Sequence, residues 1–241
     1  MTTTPRRTLA AAAALAVAAV ALAGCVHLPS AAGAPRVDET YAVSDDVHAL
    51  RLETAGDVVV QLGDEPGLTV RAPRSVVDRL TVDEEDGTLV LGMTGPGIWA
   101  GRIDYTLTVR TLDDVEVEGS GDVRADLSAA HDVAIDITGS GDVRATGVDA
   151  DSVDVAVEGS GDVRIEGTAD AGRLSVSGSG DIDAARLVLR TASAETSGSG
   201  DVAVHATGTL DARISGSGDI RVTGSPRVTR DVSGSGDLVG A

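Results

Sequence analysis

Phenylalanine and lysine are missing from this chain, and its 241 residues hold one tryptophan, Trp99, two tyrosines, Tyr41 and Tyr105, and one cysteine, Cys25. A globular core normally uses many aromatic side chains, so their near absence points to a narrow interior of Val, Ile, Leu and Ala columns. A lone cysteine excludes an intrachain disulfide. The four histidines, His27, His48, His131 and His205, have no ligand spacing among them. Positive charge is scarce: 19 basic residues, all arginine, stand against 38 acidic ones. So acidic a chain argues against nucleic acid as a partner and against direct docking on anionic lipid. The apolar run from Leu9 to Leu22 is shorter than the roughly 20 residues that span a bilayer.

What the chain has is a repeat. Gly-Ser-Gly-Asp occurs seven times, and its aspartates Asp122, Asp142, Asp162, Asp181, Asp201, Asp219 and Asp237 fall 18 to 20 residues apart. Self-similarity at that period marks a solenoid, in which each unit buries its apolar face only by stacking on its neighbours. The residue after each aspartate is Val123, Val143, Val163, Ile182, Val202, Ile220 or Leu238. The residue two before each first glycine is Val117, Ile137, Val157, Val176, Thr196, Ile214 or Val232. Around these columns apolar and polar residues alternate, as in Val115-Glu116-Val117 and Ile135-Asp136-Ile137, the period of half-buried strands. The fold expected is all-β: a single-stranded parallel β-helix, or β-solenoid, of 18 to 20 residues per coil. Crossovers between parallel strands prefer one hand, which predicts a right-handed coil.

The repeat corner supplies the candidate structural residues: Gly119, Gly121 and Asp122; Gly139, Gly141 and Asp142; Gly159, Gly161 and Asp162; Gly178, Gly180 and Asp181; Gly198, Gly200 and Asp201; Gly216, Gly218 and Asp219; Gly234, Gly236 and Asp237. A sharp reversal commonly needs positive φ, which suits glycine, and aspartate is expected to fold its carboxylate back onto nearby N–H groups in an Asx-type turn. Coils stack about 4.8 Å apart, so adjacent aspartates repel by roughly 1 kcal/mol in water. Arg124, Arg144, Arg164 and Arg221, two residues on, are placed to offset this as a ladder of ion pairs. The fourth and fifth coils lack that arginine, reading Asp181-Ile182-Asp183 and Asp201-Val202-Ala203, which makes Asp162, Asp181, Asp183 and Asp201 the weak candidate for a cation. A hard cation takes about six to eight oxygens, and one carboxylate per coil supplies few; neither a bound metal nor a cofactor is expected.

Residues 1–24 read as a secretory signal: Arg6 and Arg7 precede the alanine-rich apolar run. The string Leu22-Ala23-Gly24-Cys25 resembles the lipobox of bacterial lipoproteins, which implies that Cys25 is diacylated and becomes the first mature residue. Two acyl chains give lasting attachment, so the membrane is a partner through Cys25 and the expected location is the extracytoplasmic face of the cell membrane. Arg6-Arg7 leaves Sec and twin-arginine export both open. Residues 25–40 contain Pro29, Ser30, Gly33 and Pro35, a composition that suits a flexible tether. Without Arg6 and Arg7 the chain keeps 17 arginines against 38 acids, a formal charge of -21.

Residues 41–111 are strand-like without the clean repeat and are expected to form irregular coils that cap the regular solenoid of residues 112–241. Asp86-Gly87 reads as a hairpin turn, and Thr54-Ala55-Gly56-Asp57 resembles a degenerate repeat corner. Trp99, in the glycine-rich segment 92–101, is either a recognition residue or a lid over the solenoid's end.

The strings Ile214-Ser215-Gly216-Ser217-Gly218-Asp219-Ile220 and Val232-Ser233-Gly234-Ser235-Gly236-Asp237, with Gly224-Ser225-Pro226 between them, resemble the C-terminal signature of the bacterial putative auto-transporter adhesin, head GIN domain family. The likeness runs from about Ala42 to Leu238. It implies a secreted or lipid-anchored β-helical domain and carries no catalytic or binding residues with it. The function expected is a non-enzymatic, adhesin-like or scaffolding module with an envelope or surface partner, or a second copy of itself. Calcium binding is the alternative. A polysaccharide-active enzyme is the remoter one, because the chain has no lysine and no aromatic strip, and its acids recur in every coil instead of converging.

Overall fold

The computed structural model describes residues 35–95 and 101–240; the signal segment, Cys25, most of the expected tether and Trp99 lie outside the described residues. The chain enters on β1 (Arg36–Ala42) and continues through β2 (Ala49–Leu52), β3 (Asp57–Leu62), β4 (Gly67–Pro73) and the one-turn helix α1 (Arg74–Val77). It then passes through β5 (Leu80–Glu85), β6 (Thr88–Met93), β7 (Asp104–Val109), β8 (Asp114–Val117) and β9 (Val123–Asp126). β1 takes in the last residues expected to be tether, because Val37 and Tyr41 pack against the core.

Residues 41–111 join the same solenoid, but out of chain order. β2 pairs in parallel with both β6 and β8, and β3 with both β7 and β9. The coil of β2 and β3 is therefore sandwiched between that of β6 and β7 and that of β8 and β9. The cause is the Asp86-Gly87 turn, with φ of 50° and 82°, which folds β6 back antiparallel on β5 and aligns it with β2. Beyond the outermost coil the pairing turns antiparallel, β4 on β7 and β1 on β4, which closes this end.

Above them the coils follow the repeat: β10 (Asp132–Ile137), β11 (Val143–Val157), β12 (Val163–Val176), β13 (Ile182–Thr196), β14 (Val202–Ile214), β15 (Ile220–Gly224), β16 (Arg227–Val232) and β17 (Leu238–Val239). The result is a parallel β-solenoid of about six turns. Val123, Val143, Val163, Ile182, Val202, Ile220 and Leu238 pair in register, as do Val117, Ile137, Val157, Val176, Thr196, Ile214 and Val232. Both columns point inward and are buried until the last coil, where Leu238 is half-buried and Val232 is 43% exposed. The one polar member, Thr196, donates its hydroxyl to the Gly200 carbonyl at 2.9 Å, so it leaves no unmet polar group in the stack.

The interior is not wholly aliphatic, contrary to the expectation from composition. Tyr105 on β7 is 1% exposed, and a Cβ at Gly56 would lie 2.3 Å from its ring. Gly56 in the degenerate corner makes room for that ring. Burial pushes the Tyr105 hydroxyl up to about 12, and it lies 3.4 Å from the Thr54 hydroxyl.

Candidate functional site

The seven corners stack directly on one another and, through Gly56 and Asp57, on the coil of β2 and β3. None of the corner glycines has φ in the left-handed region, so the expected reason for glycine is replaced by another. A Cβ on either glycine of any corner would fall 1.9–2.1 Å from a backbone carbonyl oxygen of the coil before it. What selects glycine here is the close approach of backbone to backbone between coils.

The aspartates also act between coils instead of within their own turn. The backbone N–H of Asp142 donates to Oδ1 of Asp122 at 3.1 Å, and the pattern continues from Asp162 to Asp142 at 2.9 Å and from Asp181 to Asp162 at 2.9 Å. It runs on from Asp201 to Asp181 at 2.7 Å, Asp219 to Asp201 at 2.8 Å and Asp237 to Asp219 at 2.8 Å. Asp57 begins the ladder with a longer bond of 3.4 Å from Asp122. Each carboxylate from Asp57 to Asp219 thus accepts an amide proton from the next coil, and amide–carboxylate bonds are among the stronger hydrogen bonds. They offset the repulsion along the column.

The arginines contribute less to the aspartate column than expected. Arg221 reaches Asp201 at 3.0 Å and Arg124 comes within 3.9 Å of Asp122. Arg164 pairs instead with Asp183 at 3.0 Å, and Arg144 with Glu166. These pairs are exposed and individually weak. They do decide the fate of the cation candidate: Asp162, Asp181, Asp183 and Asp201 share one shallow groove, but Arg164 and Arg221 line it too. Each of the four carboxylates already accepts a backbone N–H, from Asp181, Asp201, Ala185 and Asp219 respectively. Among the described residues no group of three or more His, Cys, Asp or Glu is arranged to hold a metal. Calcium should therefore raise the melting temperature weakly, without saturation, and moderate NaCl should abolish the effect by screening. A saturable shift that survives salt and disappears in Asp181→Asn would identify a true site.

A second acidic surface lies on the strands that lead into the corners. Asp114, Glu116 and Glu118 of the β8 coil stand beside Asp136 on β10, with Arg51 bonding Glu116. Burial, and then Glu116, pushes both Asp114 and Glu118 above the usual carboxylate range; burial, then Asp114 and Asp154, does the same for Asp136. Sequence reasoning missed this surface because its acids do not repeat from coil to coil. At the closed end, burial pushes the Asp104 carboxyl up, but hydrogen bonds from Arg36 and Arg102 outweigh it and hold the group below its ordinary value.

Among known proteins, the model of the family described as putative auto-transporter adhesin, head GIN domain, matches residues 46–226. No curated protein matches the chain. A solved structure of a putative adhesin from Bacteroides fragilis is 26% identical with a TM-score of 0.81, covering 85% of this chain and 96% of that one. Two structures from Parabacteroides distasonis share the fold. A putative lipid binding protein is 22% identical with a TM-score of 0.69, covering 87% of this chain and 98% of its own. A putative adhesin is 19% identical with a TM-score of 0.67, covering 86% and 97%.

Proposed function

The chain belongs to the putative auto-transporter adhesin, head GIN domain family, and from that membership we propose that it is a non-enzymatic envelope module, held to the extracytoplasmic face of the cell membrane by lipid on Cys25. The observation that carries the reading is the solenoid itself: its polar groups recur once per coil along a line. A repetitive binding face has that arrangement, whereas catalysis needs groups that converge on one reacting atom. The close relation in fold to a putative adhesin of Bacteroides fragilis supports it. Among the described residues no helix is long and apolar enough to cross a membrane, so the proposed attachment rests on the cysteine.

Cys25→Ala should release the protein into the medium or leave its signal uncleaved, and cells carrying it should lose the surface binding that the wild type shows to whole cells or isolated envelope polymers. Unchanged membrane retention with normal processing would show that Cys25 is not the anchor. Absence of any binding by wild-type protein in such a screen would remove the adhesin-like reading.

A further inference from the structure

The two ends of the solenoid are built differently. One is closed by the antiparallel strands β1, β4 and β5. At the other, β16 lies on β14 and β17 on β15, and among the described residues no strand pairs with their outer edges. Ser233 donates its N–H down to Ile214, and amide direction alternates along a strand, so Val228, Arg230 and Val232 turn their N–H and C=O groups away from the stack. Register places Arg230 at the head of an inward column formed below it by Val115, Ile135, Val155, Leu174, Ala194 and Ala212, each at most 1% exposed. An arginine thus ends a column of aliphatic side chains, flanked two residues away on either side by valine. Among the described residues Arg230 and its neighbour Arg227 have no carboxylate partner, in a chain with twice as many acids as bases. Asp231 projects from the opposite face of the strand.

We propose that this end is an edge for β-strand addition, and that its occupant is an extended peptide segment with an acidic residue over Arg230 and apolar residues two positions to either side, over Val228 and Val232. Unpaired backbone groups give such an edge its affinity and alternate side chains its selectivity. An added strand covers the inward column and removes water from Arg230, and a guanidinium shut away in that manner needs a carboxylate. The same end of a second copy does not fit, because it brings Arg230 against Arg230. The proposal rests on reading the solenoid as a binding module, but its test does not depend on the lipid.

The full chain in mild detergent is titrated against a labelled peptide of sequence Thr-Val-Thr-Glu-Thr-Val-Thr, read by fluorescence anisotropy. Lysine in place of the central glutamate should weaken binding by about tenfold or more, and proline in place of the flanking threonines should abolish it by removing backbone donors. Arg230→Leu should lose the preference for glutamate, while Arg230→Glu, folded as judged by its melting curve, should transfer the preference to the lysine peptide. Equal binding of both peptides, unaltered by either substitution, would overturn the proposal. So would sedimentation showing that copies associate through the edge, with the exposed acids Asp83 and Glu85 on β5 of one copy against β16 of another, and peptide unable to compete. Peptide binding without any cell-surface binding would support the edge and refute the adhesin-like reading; cell-surface binding untouched by Arg230→Glu would refute the edge alone.

Discussion

Gly161→Ala is expected to lower the melting temperature steeply, while Ser160→Ala one residue earlier leaves it almost unchanged. A Cβ at Gly161 would lie 2.0 Å from the Gly141 carbonyl oxygen, 2.9 Å from its carbon and 3.2 Å from a methyl of Ile137. The neighbour that must yield is backbone, fixed by ladders on both sides of the corner, so no rotamer change relieves the contact. Overpacking a core costs about 1–3 kcal/mol when side chains can shift, and the upper end applies where they cannot. That is a large part of the roughly 5–15 kcal/mol by which a domain is stable. Ser160 is exposed, and the bond from its amide to Gly139 at 3.1 Å survives the substitution. Its change should stay within about 0.5 kcal/mol. Thermal melts followed by circular dichroism separate the two variants; equal melting would mean that the coils have room at the corner and that glycine is chosen for something else.

This pair of positions also marks what a sequence of this kind discloses. The inward columns were legible because Val123 through Leu238 recur at nearly constant spacing, and constant spacing along the chain becomes register between coils. The purpose of the glycines was not legible: positive φ and close backbone approach both call for a missing Cβ, and only the contact between Gly161 and Gly141 distinguishes them. The aspartates were misassigned for a related reason. An Asx turn and a bond from the amide of Asp181 to the carboxylate of Asp162 use the same residue type, and chain spacing says nothing about which amide is nearest. The inverted stacking at the closed end was hidden because the Asp86-Gly87 hairpin was visible but the partner of β6 was not; once repeats degenerate, β2 and β8 are equally good neighbours on paper. As for the candidate cation site, Asp162, Asp181, Asp183 and Asp201 do share a groove. The sequence showed the fourth and fifth coils lacking their own arginine after the corner, but Arg164 reaches Asp183 from the coil below and Arg221 reaches Asp201 from the coil above.

Val163→Asp should unfold several coils together. Val163 is 1% exposed and pairs in register with Val143 on one side and Ile182 on the other. A carboxylate there meets only aliphatic side chains, and an unpaired buried charge costs several kcal/mol or protonates to avoid it. In a stack whose units are stabilised by their neighbours, the loss spreads to the coils above and below. A hydroxyl placed elsewhere in the interior gives the contrast. Val176 is the register partner of Thr196, whose hydroxyl finds the Gly200 carbonyl four residues on. Val176→Thr has the equivalent carbonyl, that of Gly180, at the same offset. It should therefore melt within a few degrees of wild type, the cost of a satisfied polar group being about 1 kcal/mol or less. If Val163→Asp retained wild-type melting, the column after the corner would have to face solvent. If Val176→Thr were as damaging as Val163→Asp, the tolerance of Thr196 would be a property of its own coil and not of the corner that every coil repeats.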